Sequence, residues 1–205
     1  YCSKWPAGGG DRNVFPAKPE TTRHFQPLDS IQQEHVMIMI PAPEADSPDR
    51  YAADILSMIV GDDSNSRMFW DIVDPGHADS ADFGYAEYDG SGAYLAYLAG
   101  DPGETSANLE RLESVLRDVT ENGISDEELE QAKNKVSSRV VLASERPMGR
   151  LASLGGNWVY REEYRPVKTD LETIQAITKA DLHALVEKWP LELKTVYGLG
   201  PLEGI

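Results

Sequence analysis

An α+β fold, with a mostly antiparallel sheet and helices packed on one of its faces, follows from three features of the sequence. Two strand-sized apolar runs stand near its start, and a second pair, joined by a glycine-rich hairpin connection, spans residues 82–99. Between residues 105 and 189 the apolar side chains instead recur at helical spacing. A last strand-sized run occupies residues 193–199. The 205 residues contain no internal repeat.

Taken in order, residues 1–20 hold Pro6, Gly8, Gly9, Gly10, Pro16 and Pro19, the composition of a linker, and residues 21–205 form the domain. Residues 21–28 predict a first strand. Residues 34–40 predict a better one, which Pro41 and Pro43 end because proline brings no N–H to a ladder. Ser47-Pro48-Asp49 reads as helix cap, first-position proline and first-turn acid. The helix face is Tyr51, Ile55, Met58 and Ile59, stopped by Gly61. A polar turn over 62–65 leads into a short helix, 66–73, which ends before Pro75-Gly76. The strand 82–89 sets Phe83, Tyr85 and Glu87 on one face, Gly90-Ser91-Gly92 turns the chain, and 93–99 returns with Tyr94, Leu95, Tyr97 and Leu98.

Leu109, Leu112, Val115, Leu116 and Val119 make one helical stripe, stopped by Gly123. Ser125 with Glu128 is a capping box: the serine oxygen accepts from the third N–H while the glutamate reaches back to the first. The helix it opens keeps Leu129, Ala132, Val136, Val140 and Ala143 on one side. Further helices are predicted over 147–160, 169–177 and 179–189, the last capped by Thr178 with Asp181 three residues on.

Composition removes several function classes. With 35 acidic against 19 basic residues the formal net charge is −16, which excludes a nucleic-acid surface built from clustered lysine and arginine. The acids are spread along the chain, so their physical effect is solubility. The strongest apolar run, 36–40, is far short of the roughly 20 residues that span a bilayer, so no membrane-spanning segment is expected. Cys2 is the single cysteine, so neither an intrachain disulfide nor a thiolate zinc cluster can form. No signal-peptide pattern opens the sequence, and a start on Tyr1 reads as an excised segment.

A zinc peptidase needs two histidines one helical turn apart, a glutamate as base and a third ligand. His24, His35, His77 and His183 offer no such pair. The nearest approach is Ile31-Gln32-Gln33-Glu34-His35, which fits the frame His-x-x-Glu-His except at its first position, where isoleucine cannot bind metal. It also runs straight into a strand, whereas the frame needs a helix to bring its ligands to one side. There is no Gly-x-Ser-x-Gly elbow, the glycines 8–10 lack a phosphate-loop context, and Asp62-Asp63-Ser64-Asn65 lacks the spacing of a calcium loop. The residues therefore predict neither a catalytic site nor a metal or cofactor in this chain.

Six stretches in order nevertheless resemble one family. Gln33–Ile40 resembles the opening strand of the C-terminal, non-zinc domain of the pitrilysin/insulinase (inverzincin) metallopeptidases, a group that includes bacterial zinc proteases similar to the mitochondrial processing peptidase. Ile59-Val60-Gly61 followed by Ser66-Arg67-Met68-Phe69 resembles the family's Gly…Ser-Arg-Leu-Phe segment. Residues 124–133 resemble its turn and helix ending in Ala-Lys, residues 174–182 its late helix pair, and residues 194–201 its closing strand with Gly-Pro. Trp5-Pro6-Ala7-Gly8 is similar to the tail of a preceding domain.

The resemblance implies that this chain is the half that closes over a peptide substrate and does not hydrolyse it alone. Zinc would reside in an N-terminal domain of the same parent, which becomes the expected partner, with a homodimer possible for the isolated half. It further implies an arginine and a tyrosine that contact substrate; in that register Val73 and Asp79 stand in their places, and valine has no donor to offer a peptide carbonyl. Arg67, His77, Tyr85 and Tyr88 are then the candidate substrate-binding residues. Loss of the arginine and tyrosine is also what a degenerate, catalytically inactive scaffold or partner subunit of the family would show.

Overall fold

Five strands form one sheet in the order β1-β5-β2-β4-β3, comprising β1 (Thr22–Pro27), β2 (Glu34–Ala42), β3 (Ser80–Tyr88), β4 (Ser91–Gly100) and β5 (Thr195–Gly200). The computed structural model describes residues 2–4, 14 and 18–205. Most of the linker-like segment 1–20, including Trp5-Pro6-Ala7-Gly8, lies outside the described residues. β2 runs antiparallel to β4 and β5, and β3 antiparallel to β4, while β1 joins β5 in parallel. The helices are α1 (Arg50–Gly61), α2 (Thr105–Asn122), α3 (Asp126–Glu145), α4 (Pro147–Arg161), α5 (Val167–Ala176) and α6 (Lys179–Lys188). The fold is thus α+β with a mostly antiparallel sheet, as the sequence predicts. No helix among the described residues is long and apolar enough to cross a membrane.

Strand alternation sends Val36, Ile38 and Ile40 of β2, Tyr94, Ala96 and Leu98 of β4, Phe83 of β3 and Val196 of β5 into the core beneath the helices. There they meet Ile55, Leu56, Ile59 and Val60 of α1, the α2 stripe, Leu129, Ala132 and Val136 of α3, and Ile174, Leu182 and Leu185 from the last two helices. Phe83 stacks on Tyr94 with ring centroids 5.1 Å apart.

Four local expectations are corrected. Pro41 does not end β2, which runs on to Ala42: β5 stops at Thr195 opposite Met39, so from there β2 pairs with β4 alone and has one unpaired side, where a proline is tolerated. The hairpin turns at Asp89-Gly90, with Tyr88 opposite Ser91 and Gly90 at φ 69°, leaving Ser91 and Gly92 inside β4. α1 starts after Asp49 without a side-chain cap, because the Ser47 hydroxyl is used one turn earlier, accepting from the Asp49 N–H at 3.2 Å. The segment expected as a short helix over 66–73 is helical at Arg67 and Met68 and then widens into a π-type turn, Phe69–Val73.

Candidate functional site

The segment between α1 and β3 carries the positions at which substrate contact was expected. Ser66 opens it, its hydroxyl donating to the Asp62 carbonyl at 2.6 Å and accepting from the Phe69 N–H at 3.1 Å. Arg67 points away toward the α2–α3 corner. Its Nε and Nη2 donate to the Glu128 carboxylate at 2.7 and 3.1 Å, Nη1 to Asp118 at 2.7 Å, and Nη2 also to the Gly123 carbonyl at 2.7 Å. All three guanidinium nitrogens are therefore engaged within the chain. Burial raises the Glu128 carboxyl, but the Arg67 hydrogen bonds and those from Ser125 outweigh it and bring the value down to about 2.

The other candidates do not converge on Arg67. The His77 N–H donates to Ile72 at 3.0 Å, and its carbonyl accepts from Asn108 of α2 at 2.8 Å, pinning the loop backbone. Val73 packs against the core, and Asp79 accepts from Gln33 at 2.6 Å. Tyr85 lies on the helix side of β3, donating to the Pro43 carbonyl at 2.7 Å; burial and then the Glu87 charge hold its hydroxyl well above the ordinary tyrosine range. Tyr88 is exposed at the hairpin tip. With a rise of about 3.4 Å per residue along β3, Tyr88 sits roughly 27 Å from the His77 loop, so a single small-molecule pocket cannot include both.

Zinc does not fit the residues present. Glu34 and His35 are neighbours on a strand, so they face opposite sides of the sheet: Glu34 is buried and accepts from the Leu202 N–H at 3.1 Å, while His35 on the open side lies 2.7 Å (Nδ1) from the Tyr97 hydroxyl. Among the described residues no group of three or more histidine, cysteine, aspartate or glutamate side chains is arranged to hold a metal ion.

Two apolar surfaces stand out where sequence reasoning placed no functional residue. The sheet face away from the helices presents Met37 and Met39 of β2, Leu95 and Tyr97 of β4, and Tyr197 of β5, with Met39 47% exposed. On α4, Met148, Leu151, Gly155, Trp158 and Val159 form an outward stripe, Leu151 and Trp158 each 62% exposed. Both signals were present in the sequence. The run Val36-Met37-Ile38-Met39-Ile40 is apolar at every position, the pattern of a strand covered on both faces, and the α4 stripe recurs at intervals of three and four.

A sequence model of the family described as the peptidase M16 inactive domain matches residues 1–136. An uncharacterized zinc protease of Mycobacterium leprae is 26% identical over 158 residues, covering 77% of this chain and 36% of that protein. A solved peptidase M16 inactive domain from Pseudomonas fluorescens superposes with a TM-score of 0.82 at 18% identity, over 96% of this chain and 48% of that one. A protease from Helicobacter pylori superposes with a TM-score of 0.79 at 16% identity, over 97% and 50%. These two likenesses are of fold. The chain spans about a third of the length of the mycobacterial relative, and about half that of each solved chain.

Proposed function

The chain belongs to the peptidase M16 inactive-domain family, and from that premise we propose that it is the zinc-free half of a two-part zinc endopeptidase unit, forming one wall of a peptide-holding chamber. An N-terminal domain of the same parent would bring the His-x-x-Glu-His site, where bound zinc activates water and polarises the peptide carbonyl. This half would bind, orient and shield: extended peptide pairs readily with strand edges, and closure removes water.

The observation that carries the reading is the apolar open face of the sheet. A chain with a net charge of −16 leaves methionine, leucine and tyrosine side chains of its central strands uncovered, and the α4 stripe repeats the pattern on a helix. Large contiguous apolar surface on a soluble domain marks a contact with another protein surface. A second reading, a non-catalytic scaffold of the same family, is favoured by one specific observation: Val73 and Asp79 stand where the resemblance puts the substrate-contacting arginine and tyrosine.

The test is hydrolysis of an unstructured peptide by the 205-residue chain and by its longer parent, with and without a chelator. Activity in the parent alone, abolished by the chelator, is expected. Silence in both selects the scaffold, and turnover by the 205-residue chain alone overturns the proposal.

A further inference from the structure

A cleft of about 280 Å³ opens between the start of α1, β3, α3, α4 and the start of α5, and Arg50, Arg150 and Arg161 are among its lining. The three arginines differ in how they are compensated. Arg50 is paired, its Nη1 donating to Glu87 at 3.2 Å and its Nη2 to the Tyr51 hydroxyl at 2.5 Å. Arg150 and Arg161 are not: among the described residues neither lies within ion-pair distance of a carboxylate. Arg150 donates through Nη2 to the Arg165 carbonyl at 3.3 Å. Arg161 donates to the Ala45 carbonyl at 2.6 Å and to Asn157 Oδ1 at 2.5 Å. These acceptors are neutral. Each guanidinium also keeps one buried nitrogen without a partner, Nη1 of Arg150 and Nε of Arg161.

Buried donors are nearly always satisfied, and buried charges are paired or bind an ion. The acids of the cleft are already committed. Glu87 serves Arg50, and Asp170 accepts from Tyr51 at 2.5 Å and from Arg165 at 2.6 Å. In a chain with 35 acidic residues, two guanidiniums facing one cleft with no carboxylate at ion-pair distance is an arrangement that calls for an anion from outside. Burial, followed by repulsion from Arg50, lowers the proton affinity of Arg161, and attraction from Glu87 offsets this only in part. The cleft lies at the lower end of the roughly 300–1,000 Å³ of organic-ligand pockets, with room for a small ion and its water.

We propose that this cleft binds a small inorganic oxyanion of the phosphate type, held by Arg150 of α4 and Arg161 at its end. Guanidinium N–H groups are strong donors to oxyanion oxygens, and the cleft offers one unpartnered nitrogen from each of two arginines of one helix. A bound oxyanion would satisfy both orphan nitrogens and tie α4 to the body of the domain, setting the angle at which the α4 stripe is presented.

Thermal unfolding of the 205-residue chain in inorganic phosphate, at constant ionic strength made up with chloride, tests this. A phosphate-specific rise in Tm is expected, logarithmic in concentration, about 3–5 °C for each tenfold of phosphate above its dissociation constant. Arg150→Gln and Arg161→Gln should each abolish that rise while keeping the parental far-UV circular dichroism. If Arg161→Gln does not fold, Arg150→Gln decides alone, since Arg150 makes a single carbonyl contact. An equal shift in acetate, no shift in phosphate, or a full phosphate response in Arg150→Gln overturns the proposal.

Discussion

Arg67 and Glu128 show how much one ion pair can organise. Glu128 closes the α3 capping box, accepting from the Ser125 N–H and hydroxyl at 2.8 Å, and the same carboxylate takes the fork of Arg67. Arg67 in turn reaches Asp118 on α2, so the loop after α1, the end of α2 and the start of α3 share one set of hydrogen bonds. The Glu128 carboxyl falls from its ordinary 4.5 to about 2 in the folded chain. A lowered carboxylate value means stability that is fully present above the unfolded value and is lost as pH falls through the folded one, here from about 4.5 toward 2. Glu128→Gln is therefore expected to lose on the order of 2 kcal/mol near neutral pH in urea unfolding, with the gap to the parent closing as pH approaches 2. A gap undiminished at pH 2 would mean the charge contributes nothing. At this scale the sequence disclosed only what is local. The Ser125–Glu128 box spans three residues and is visible by eye, whereas the Arg67–Glu128 pair joins residues that only the tertiary fold brings together. The uncompensated state of Arg150 and Arg161 is equally hidden, because a missing partner has no spacing to search for.

At the scale of elements, the periodicities of α2, α3 and α6 and the strand alternation of β3 were legible because each element buries one face, and caps and glycines mark their ends. What misled was punctuation with two meanings. Gly61 reads as a helix stop, yet α1 includes it, and it does not adopt a positive φ. It is there because α1 meets the edge of β3: a Cβ at Gly61 would lie 2.2 Å from Phe83 Cβ and 2.3 Å from the Phe83 nitrogen. Neither backbone can move aside freely, so Gly61→Ala should cost about 1–3 kcal/mol, read as a lower urea midpoint with an unchanged m-value. Gly155→Ala is the contrasting change, since a Cβ there meets nothing within 4 Å and alanine favours the helix; it should stabilise by about 0.5–1 kcal/mol. Equal effects of the two would refute close approach as the reason for Gly61.

The whole molecule combines strong net negative charge with two uncovered apolar surfaces, and the two properties oppose each other in solution. Like charge keeps copies apart over a Debye length, about 10 Å at 0.1 M salt, while the sheet face and the α4 stripe draw surfaces together once they touch. The isolated chain is expected to self-associate at high concentration, more so at raised salt, with Leu151→Glu and Trp158→Glu together shifting sedimentation toward the monomer. A strictly monomeric profile for the parent chain under those conditions would show that these surfaces do not drive contact. The α+β class was legible at this scale, because the order of strand and helix signals is itself global information. The open sheet face was not read, because an all-apolar strand and a half-covered one were treated alike.

The sheet order also has a consequence in time. β5 lies between β1 and β2, and among the described residues β1 pairs with no other strand, its ladder running from Thr22 opposite Thr195 to Pro27 opposite Gly200. As a ribosome releases the chain, the β2–β4–β3 antiparallel core can assemble early from neighbouring segments. β1 must wait, unpaired, until β5 emerges and inserts beside it. Birth of the domain therefore ends with a single late insertion that closes two ladders at once, and any factor that holds the nascent chain open would act on that last strand.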